Sequence, residues 1–467
     1  MRTSIKAFIV LFTLTLIGFT TVRLAYEPLY TVLPPSISQR LPDLAADVAT
    51  ALPAPRENSA EMGSDQLVAI PGAAEPTATP LPNNTLQPIP TNIPESIIET
   101  AVIEVAATET PLPTATPLPT DIPPTQTPTA TPLPLAFTLD GLQNIPQTFN
   151  NCGPANVSIV LNYHGDSTAQ ETTALTLKPN PNDRNVSPWQ IGEYINGGPN
   201  SPEGIDGLKV AFHSGGTEPM LKQLIAIGLP PVVERGIDFN DGEGWYGHYL
   251  TLFGYDDDSR IFNAMDTYAQ PWAPNGEPFA YDDVLGSWKD FNYTFFVVYP
   301  VEREVEVQMI LGETLLDEMV MWENTATIAR EQIRADVTDK FAWFNLGTSL
   351  TELGILTGEA GFYEEGVAAF DEARKLDLPY RMLWYQHRPY MAYFKIGRNQ
   401  DVIDLANATL ETRGGRNVEE TYLWLGHALT AINDPLSAGN AYRESLKVNT
   451  NFYPAQTALN WLTRDGG

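Results

Sequence analysis

A heptapeptide, Pro-Thr-Ala-Thr-Pro-Leu-Pro, occurs three times early in the chain, at 76–82, 113–119 and 128–134. Proline at this density removes backbone donors and favours extended polyproline II, a semi-rigid spacer. Threonine beside proline is also the composition of glycosylated stalks. Residues 26–135 are therefore expected to be a disordered Pro/Thr-rich linker that packs no core. The linker divides the 467 residues into a short leader and a long folding part. In the leader, Arg2 and Lys6 precede an uncharged apolar run, Ala7 to Val22, closed by Arg23. A positive flank followed by an apolar core marks 1–25 as a signal-anchor or a cleaved signal peptide. Either one exports the rest of the chain, with the basic flank left inside. The protein is thus expected to be extracytoplasmic, membrane-anchored at the cell surface through its N-terminal helix, or secreted if that segment is cleaved.

Two counts narrow the function. Acidic residues outnumber basic ones 57 to 27, a formal charge of -30. Such a surface repels phosphates, so no nucleic acid partner is expected. A single cysteine, Cys152, rules out an intramolecular disulfide and a cysteine-rich metal site. Phosphate loops, zinc spacings and dinucleotide fingerprints are missing from the sequence. Asp238–Glu243 resembles part of a calcium loop, but its glycine and glutamate stand out of place. No cofactor and no metal are expected.

After residue 135 proline thins and aromatics appear. Over 136–300 a helix starting near Cys152 gives way to short β-type runs. They are Pro230–Glu234, His248–Tyr255, Ile261–Asp266 and Phe291–Tyr299, with a further helix at Glu218–Gly228. Lys178–Gly198 reads as a polar region. A helix plus an antiparallel sheet is an α+β plan. From 301 to 467 the pattern is helical, beginning with a run at Met309–Ile333.

The chemistry centres on Gln147-Thr-Phe-Asn-Asn-Cys152-Gly-Pro. Proline suits a first helical turn, so Cys152 falls at a helix N-terminus. The dipole and unpaired N–H groups there favour thiolate, the nucleophilic form. Gln147 offers a side-chain N–H to a developing oxyanion. A thiolate also needs a proton acceptor and something to orient it. Of five histidines, His387 and His427 fall in the helical part, His164 ends the Cys152 helix as a cation would, and His213 sits in a polar loop. His248 opens a strand after a glycine-rich loop, and Asp266 closes the next strand. A hairpin centred on Asp257 sets His248 and Asp266 opposite each other, close enough to fix the imidazole tautomer.

These four residues, in this order and context, resemble the papain-like cysteine peptidases. The nearest branch is that of the bacteriocin leader-processing, double-glycine peptidases and their stand-alone relatives, and the likeness runs from about Leu139 to Pro300. It implies a Cys152 nucleophile, a His248 base, an Asp266 orienter and a Gln147 oxyanion donor, acting on a peptide or protein substrate. One departure is that Thr267 follows the aspartate where the family usually has proline. Another is that no transporter is joined to this chain, so the substrate is not implied.

The helical part resembles tetratricopeptide repeats. Trp343, Leu346, Gly347 and Leu350 recur as Tyr422, Leu425, Gly426 and Leu429. Gly366, Phe370 and Ala373 then match Ala438, Tyr442 and Ser445 on the following helices. A middle unit, Leu383–Leu410, departs from the pattern at Pro389. The resemblance implies an all-α domain at 301–467 that binds a protein partner. Taken together the sequence describes a cysteine peptidase-like hydrolase. A non-catalytic peptide-binding module and a thiol acyltransferase are the alternatives.

Overall fold

The computed structural model describes residues 132–238, 244–269 and 272–465. The apolar segment 1–25 and nearly all of the linker lie outside them. Among the described residues no helix is long and apolar enough to cross a membrane.

The first part alternates strands and helices. In chain order these are β1 (Ala136–Thr138), α1 (Cys152–Tyr163), α2 (Gln170–Leu177), α3 (Pro188–Asn196), β2 (Leu208–His213), α4 (Glu218–Ala226), β3 (Pro231–Asp238), β4 (Trp245–Asp256), β5 (Ile261–Met265), β6 (Glu277–Ala280), α5 (Tyr281–Trp288) and β7 (Phe295–Pro300). All strands join one sheet in the order β2-β7-β3-β4-β5-β6, with β1 also on β4. Every pairing is antiparallel. The antiparallel sheet is as expected from the sequence, but helices are set among its strands that the pattern does not reveal. The region Lys178–Gly198, polar in composition, contains α3. A capping box starts that helix: Ser187 N–H donates to Gln190 Oε1 at 2.7 Å, with Pro188 in the first turn.

β4 is central because its twelve residues are almost all buried, as expected of a strand covered on both faces. Val232 and Tyr249 pack with Val157, Val160 and Leu161 of α1. Their neighbours Val233 and Leu250 pack with Met220, Leu221 and Leu224 of α4. Asn156 pins α1 to the strand, donating to Tyr249 O at 3.0 Å and accepting from Thr251 Oγ1 at 2.6 Å.

The second part is helical: α6 (Glu304–Leu316), α7 (Glu318–Ala335), α8 (Lys340–Thr357), α9 (Ala360–Lys375), α10 (Arg388–Lys395), α11 (Asn399–Glu411), α12 (Glu419–Ala431), α13 (Pro435–Val448) and α14 (Tyr453–Asp465). The run Met309–Ile333 is divided between α6 and α7 at Asp317, which caps α7 by accepting from Val320 N–H, and α6 is itself kinked at Gly312, which leaves helical geometry at φ 64°. Gly347 lies against the Phe370 ring and Gly426 against the Tyr442 ring. A Cβ at either place would collide, so these glycines let α8 cross α9 and α12 cross α13. Pro389 sits in the first turn of α10 and interrupts nothing.

Leu133–Gly467 falls within one compact unit, and the two parts are joined by many polar bonds. Asn449 Nδ2 donates to Leu177 O at 2.9 Å, Asn345 Nδ2 to Lys289 O at 2.7 Å, and Arg184 N–H to Asn417 O at 3.1 Å.

Candidate active site

Cys152 is the first residue of α1 and is only partly buried. The loop before it is pinned by side-chain bonds. Asn150 turns through left-handed space at φ 55°, and Lys178 Nζ donates to Asn150 O at 2.9 Å and Asn151 Oδ1 at 3.3 Å. Lys178 is 2% exposed. Burial drives its pKa down to about 8, although the charges of Asp183 and Cys152 pull it up. Asp183 in turn hydrogen-bonds Glu419 of α12. Burial raises both carboxyls, and the charge of Glu419 raises Asp183 further.

Burial pushes the Cys152 thiol up, yet its pKa is lowered overall. A hydrogen bond to His248, the imidazolium charge, the Tyr249 backbone and Lys178 outweigh burial. Below it, Glu234 is held well above the carboxylate range by burial and by the charge of Cys152. That shift favours the neutral acid beside the thiol.

His248 is 4% exposed, and its Nε2 lies 2.9 Å from Asp266 Oδ1. That leaves Nδ1 for Cys152. Burial lowers the imidazole, but the charge and hydrogen bond of Asp266, then those of Cys152, lift its pKa to about 9. Asp266 is raised by burial and lowered more strongly by His248, the Tyr268 N–H and Arg235. The route to this pairing differs from the expected one. His248 is the fourth residue of β4, not its first, and Asp266 lies just past the end of β5. The hairpin turns at 257–260, and a register shift between Leu252 and Gly254 follows. Thr251 pairs with Met265, so Asp266 reaches His248 along a diagonal.

Gln147 is 5% exposed and is fixed by Thr267. Gln147 N–H donates to Thr267 O at 3.0 Å, and Thr267 Oγ1 donates to Gln147 Oε1 at 2.7 Å. The amide oxygen is thereby occupied, and the Nε2 donors point away from Thr267. The threonine that departs from the usual proline thus orients the amide.

The other histidines have structural partners. His164 Nε2 lies 2.9 Å from Val298 O, and burial lowers its pKa. That burial works against the helix-end cation role expected. His213 is half-buried beside Phe295, at a pKa of about 4 through burial, and is not on a polar surface. His387 meets Glu420 at 3.7 Å, and His427 Nδ1 lies 3.0 Å from Tyr442 OH. Sequence reasoning missed Lys178, Thr267, Glu234 and Tyr385 as parts of the site. Only Thr267 carried a signal, as the residue standing in place of a proline.

Residues 139–294 match the Peptidase_C39 like family, which supports a C39-like, papain-like peptidase domain over that third of the chain. No curated protein matches. A solved structure titled "MamA RS-1 ArsTM double mutant" is 15% identical, over 32% of this chain and 85% of that one, with a TM-score of 0.26. That likeness is too slight to bear on fold or function.

Proposed function

We propose that the protein is a thiol hydrolase that cleaves a peptide or amide bond. What carries the reading is the chain Cys152–His248–Asp266, in which the thiol is shifted down and the imidazole up. Opposite shifts in two hydrogen-bonded groups favour a thiolate–imidazolium pair at neutral pH. In the reaction Cys152 Sγ attacks the carbonyl carbon and a C–S bond forms. Gln147 Nε2 and the Cys152 N–H receive the oxyanion. As the C–N bond breaks, the His248 proton passes to the leaving amine. His248 then takes a proton from water, which attacks the thioester and releases the acid and the thiolate. Asp266 holds the imidazole in register throughout. The helical part binds a protein partner in tetratricopeptide fashion, and residues 1–25 tether or export the chain. Localisation of the full chain beside a variant lacking 1–25 tests the last point.

The thiol has one source in this chain, so iodoacetamide labelling of the full protein across pH reads Cys152 alone. The expected midpoint lies well below the free-thiol value of about 8.5, and His248→Ala raises it. A midpoint at or above that value, unmoved by His248→Ala, ends the enzyme reading and leaves a binding module.

A further inference from the structure

The segment 380–387 of the helical part packs against residues on either side of the Cys152–His248 site. It contains a short 3-10 turn, Tyr380–Trp384, and it touches both sides of the catalytic pair. On the α1 side, Arg184 sits between the rings of Phe149 and Trp384 at 5.2 and 5.5 Å, and Asn185 Nδ2 donates to Tyr385 O at 3.5 Å. On the sheet side, Arg381 Nη1 donates to Trp245 O at 3.4 Å, and its guanidinium lies 4.2 Å from the Tyr246 ring centre. Between these anchors the Tyr385 ring is seated on Gly247. A Cβ at Gly247 would lie 2.9 Å from Tyr385 and 2.7 Å from Phe291, so glycine before His248 is what admits the rings. Tyr385 is also near enough to Cys152 that, after burial, the charge of the thiolate is the next cause raising its phenol.

We propose that residues 380–387 are the end wall of the substrate cleft, and that the site therefore takes the end of a peptide chain rather than its middle. This rests on the hydrolase reading. The wall stands on the residue adjoining His248, so a chain that continues on that side of the Cys152–His248 pair runs into Tyr385. A continuous polypeptide cannot thread past, whereas a terminus, or a short branch, fits. The helical part is then a component of the specificity of the site, in addition to any partner it binds.

The test needs no known substrate. Full-length protein is treated with iodoacetamide and with two ten-residue Gly/Ser peptides blocked at both ends. One peptide carries an iodoacetyl group on its central side chain, the other on its last side chain. Attack by Cys152 Sγ forms a C–S bond and releases iodide in every case. The wall predicts that the end-labelled peptide reacts almost as fast as iodoacetamide. The centre-labelled one should be slower by about tenfold or more, a modest figure beside what ångström-scale misplacement of reacting atoms costs. Tyr385→Ala should narrow the ratio and Tyr385→Phe should keep it. Equal rates for the two peptides in the unaltered protein overturn the proposal without any variant, as does a ratio unchanged in a folded Tyr385→Ala protein. Iodoacetamide itself separates the two claims. Slow alkylation indifferent to His248 strikes down the hydrolase and the wall with it, whereas fast alkylation without discrimination strikes down only the wall.

Discussion

Thr267→Val isolates the orientation of Gln147. Valine keeps the shape of threonine and removes the hydroxyl that donates to Gln147 Oε1 at 2.7 Å. Thr267 is fully buried and Gln147 nearly so, so water does not replace the lost donor. An unpaired buried acceptor costs about 1–3 kcal/mol. The amide escapes part of that by rotating, which turns Nε2 away from the oxyanion. Complete loss of an oxyanion donor slows acyl transfer about 10²–10³-fold. Because the Cys152 N–H remains and the rotation is partial, we expect about 10–100-fold, or roughly 1.4–2.7 kcal/mol in the barrier. The assay compares two reactions of the same thiol. p-Nitrophenyl acetate acylates Cys152 through a tetrahedral oxyanion and expels p-nitrophenolate, whereas iodoacetamide alkylates it with no oxyanion. Acylation should fall and alkylation should hold, with Thr267→Ser restoring acylation. If the two rates fall together, or neither falls, Thr267 does not act through Gln147 and the reasoning is wrong.

Four further outcomes are expected. Acylation by p-nitrophenyl acetate should rise as Cys152 ionises and decline above about pH 9, where His248 loses its proton; a rate still climbing beyond pH 10 refutes the ion pair. Lys178→Met leaves Asp183 and the loop before Cys152 without their buried cation, and should lower stability by about 3–5 kcal/mol in denaturant melts; a change under about 1 kcal/mol would mean the carboxyls are wholly neutral. Gly247→Ala drives a methyl into the Phe291 and Tyr385 rings and should destabilise by about 1–3 kcal/mol, also read by denaturant. Asp290, 8% exposed, accepts from Trp245 Nε1 at 2.8 Å, and burial raises its pKa to about 7. Above about pH 4 the unfolded chain has released the proton that the native one still holds. The contribution of the neutral acid is therefore complete below about pH 4 and lost as pH climbs to about 7. Asp290→Asn should remove that slope, so its advantage over the unaltered protein in urea melts should grow from pH 4.5 to 7.5; a constant difference contradicts the shift.

Local features are readable in the sequence. Gly-Pro after Cys152 marks a helix start, and α1 does begin at Cys152. The Gly347 and Gly426 offsets point to helix crossings, and each glycine does meet an aromatic ring. The Ser187–Gln190 capping box is equally local, yet its polar surroundings hide it. The features that are not legible depend on distant partners. The bulge at Leu252–Gly254 moves Asp266 off the rung that simple counting gives it, and hairpin composition does not encode a bulge. Lys178 has the look of a surface charge, because its partners are a backbone carbonyl, an asparagine and an acid pair completed by Glu419. Tyr385 has no signal at all. It comes to the site only because the helical part folds back onto the sheet.

The bond from Asn449 to Leu177 spans 272 residues, and it has a consequence for how the chain matures. Synthesis delivers Cys152, His248 and Asp266 long before the residues that dock beside them. Until residue 419 has emerged Asp183 has no Glu419 beside it, and until residue 449 has emerged α2 has no Asn449 to cap its last carbonyl. The thiol exists early and its surroundings late. On the proposed reading, a nascent or truncated chain would carry an open, weakly specified thiol, and the finished one a cleft with a closed end. Completion of translation thus sets the moment at which reactivity becomes selectivity.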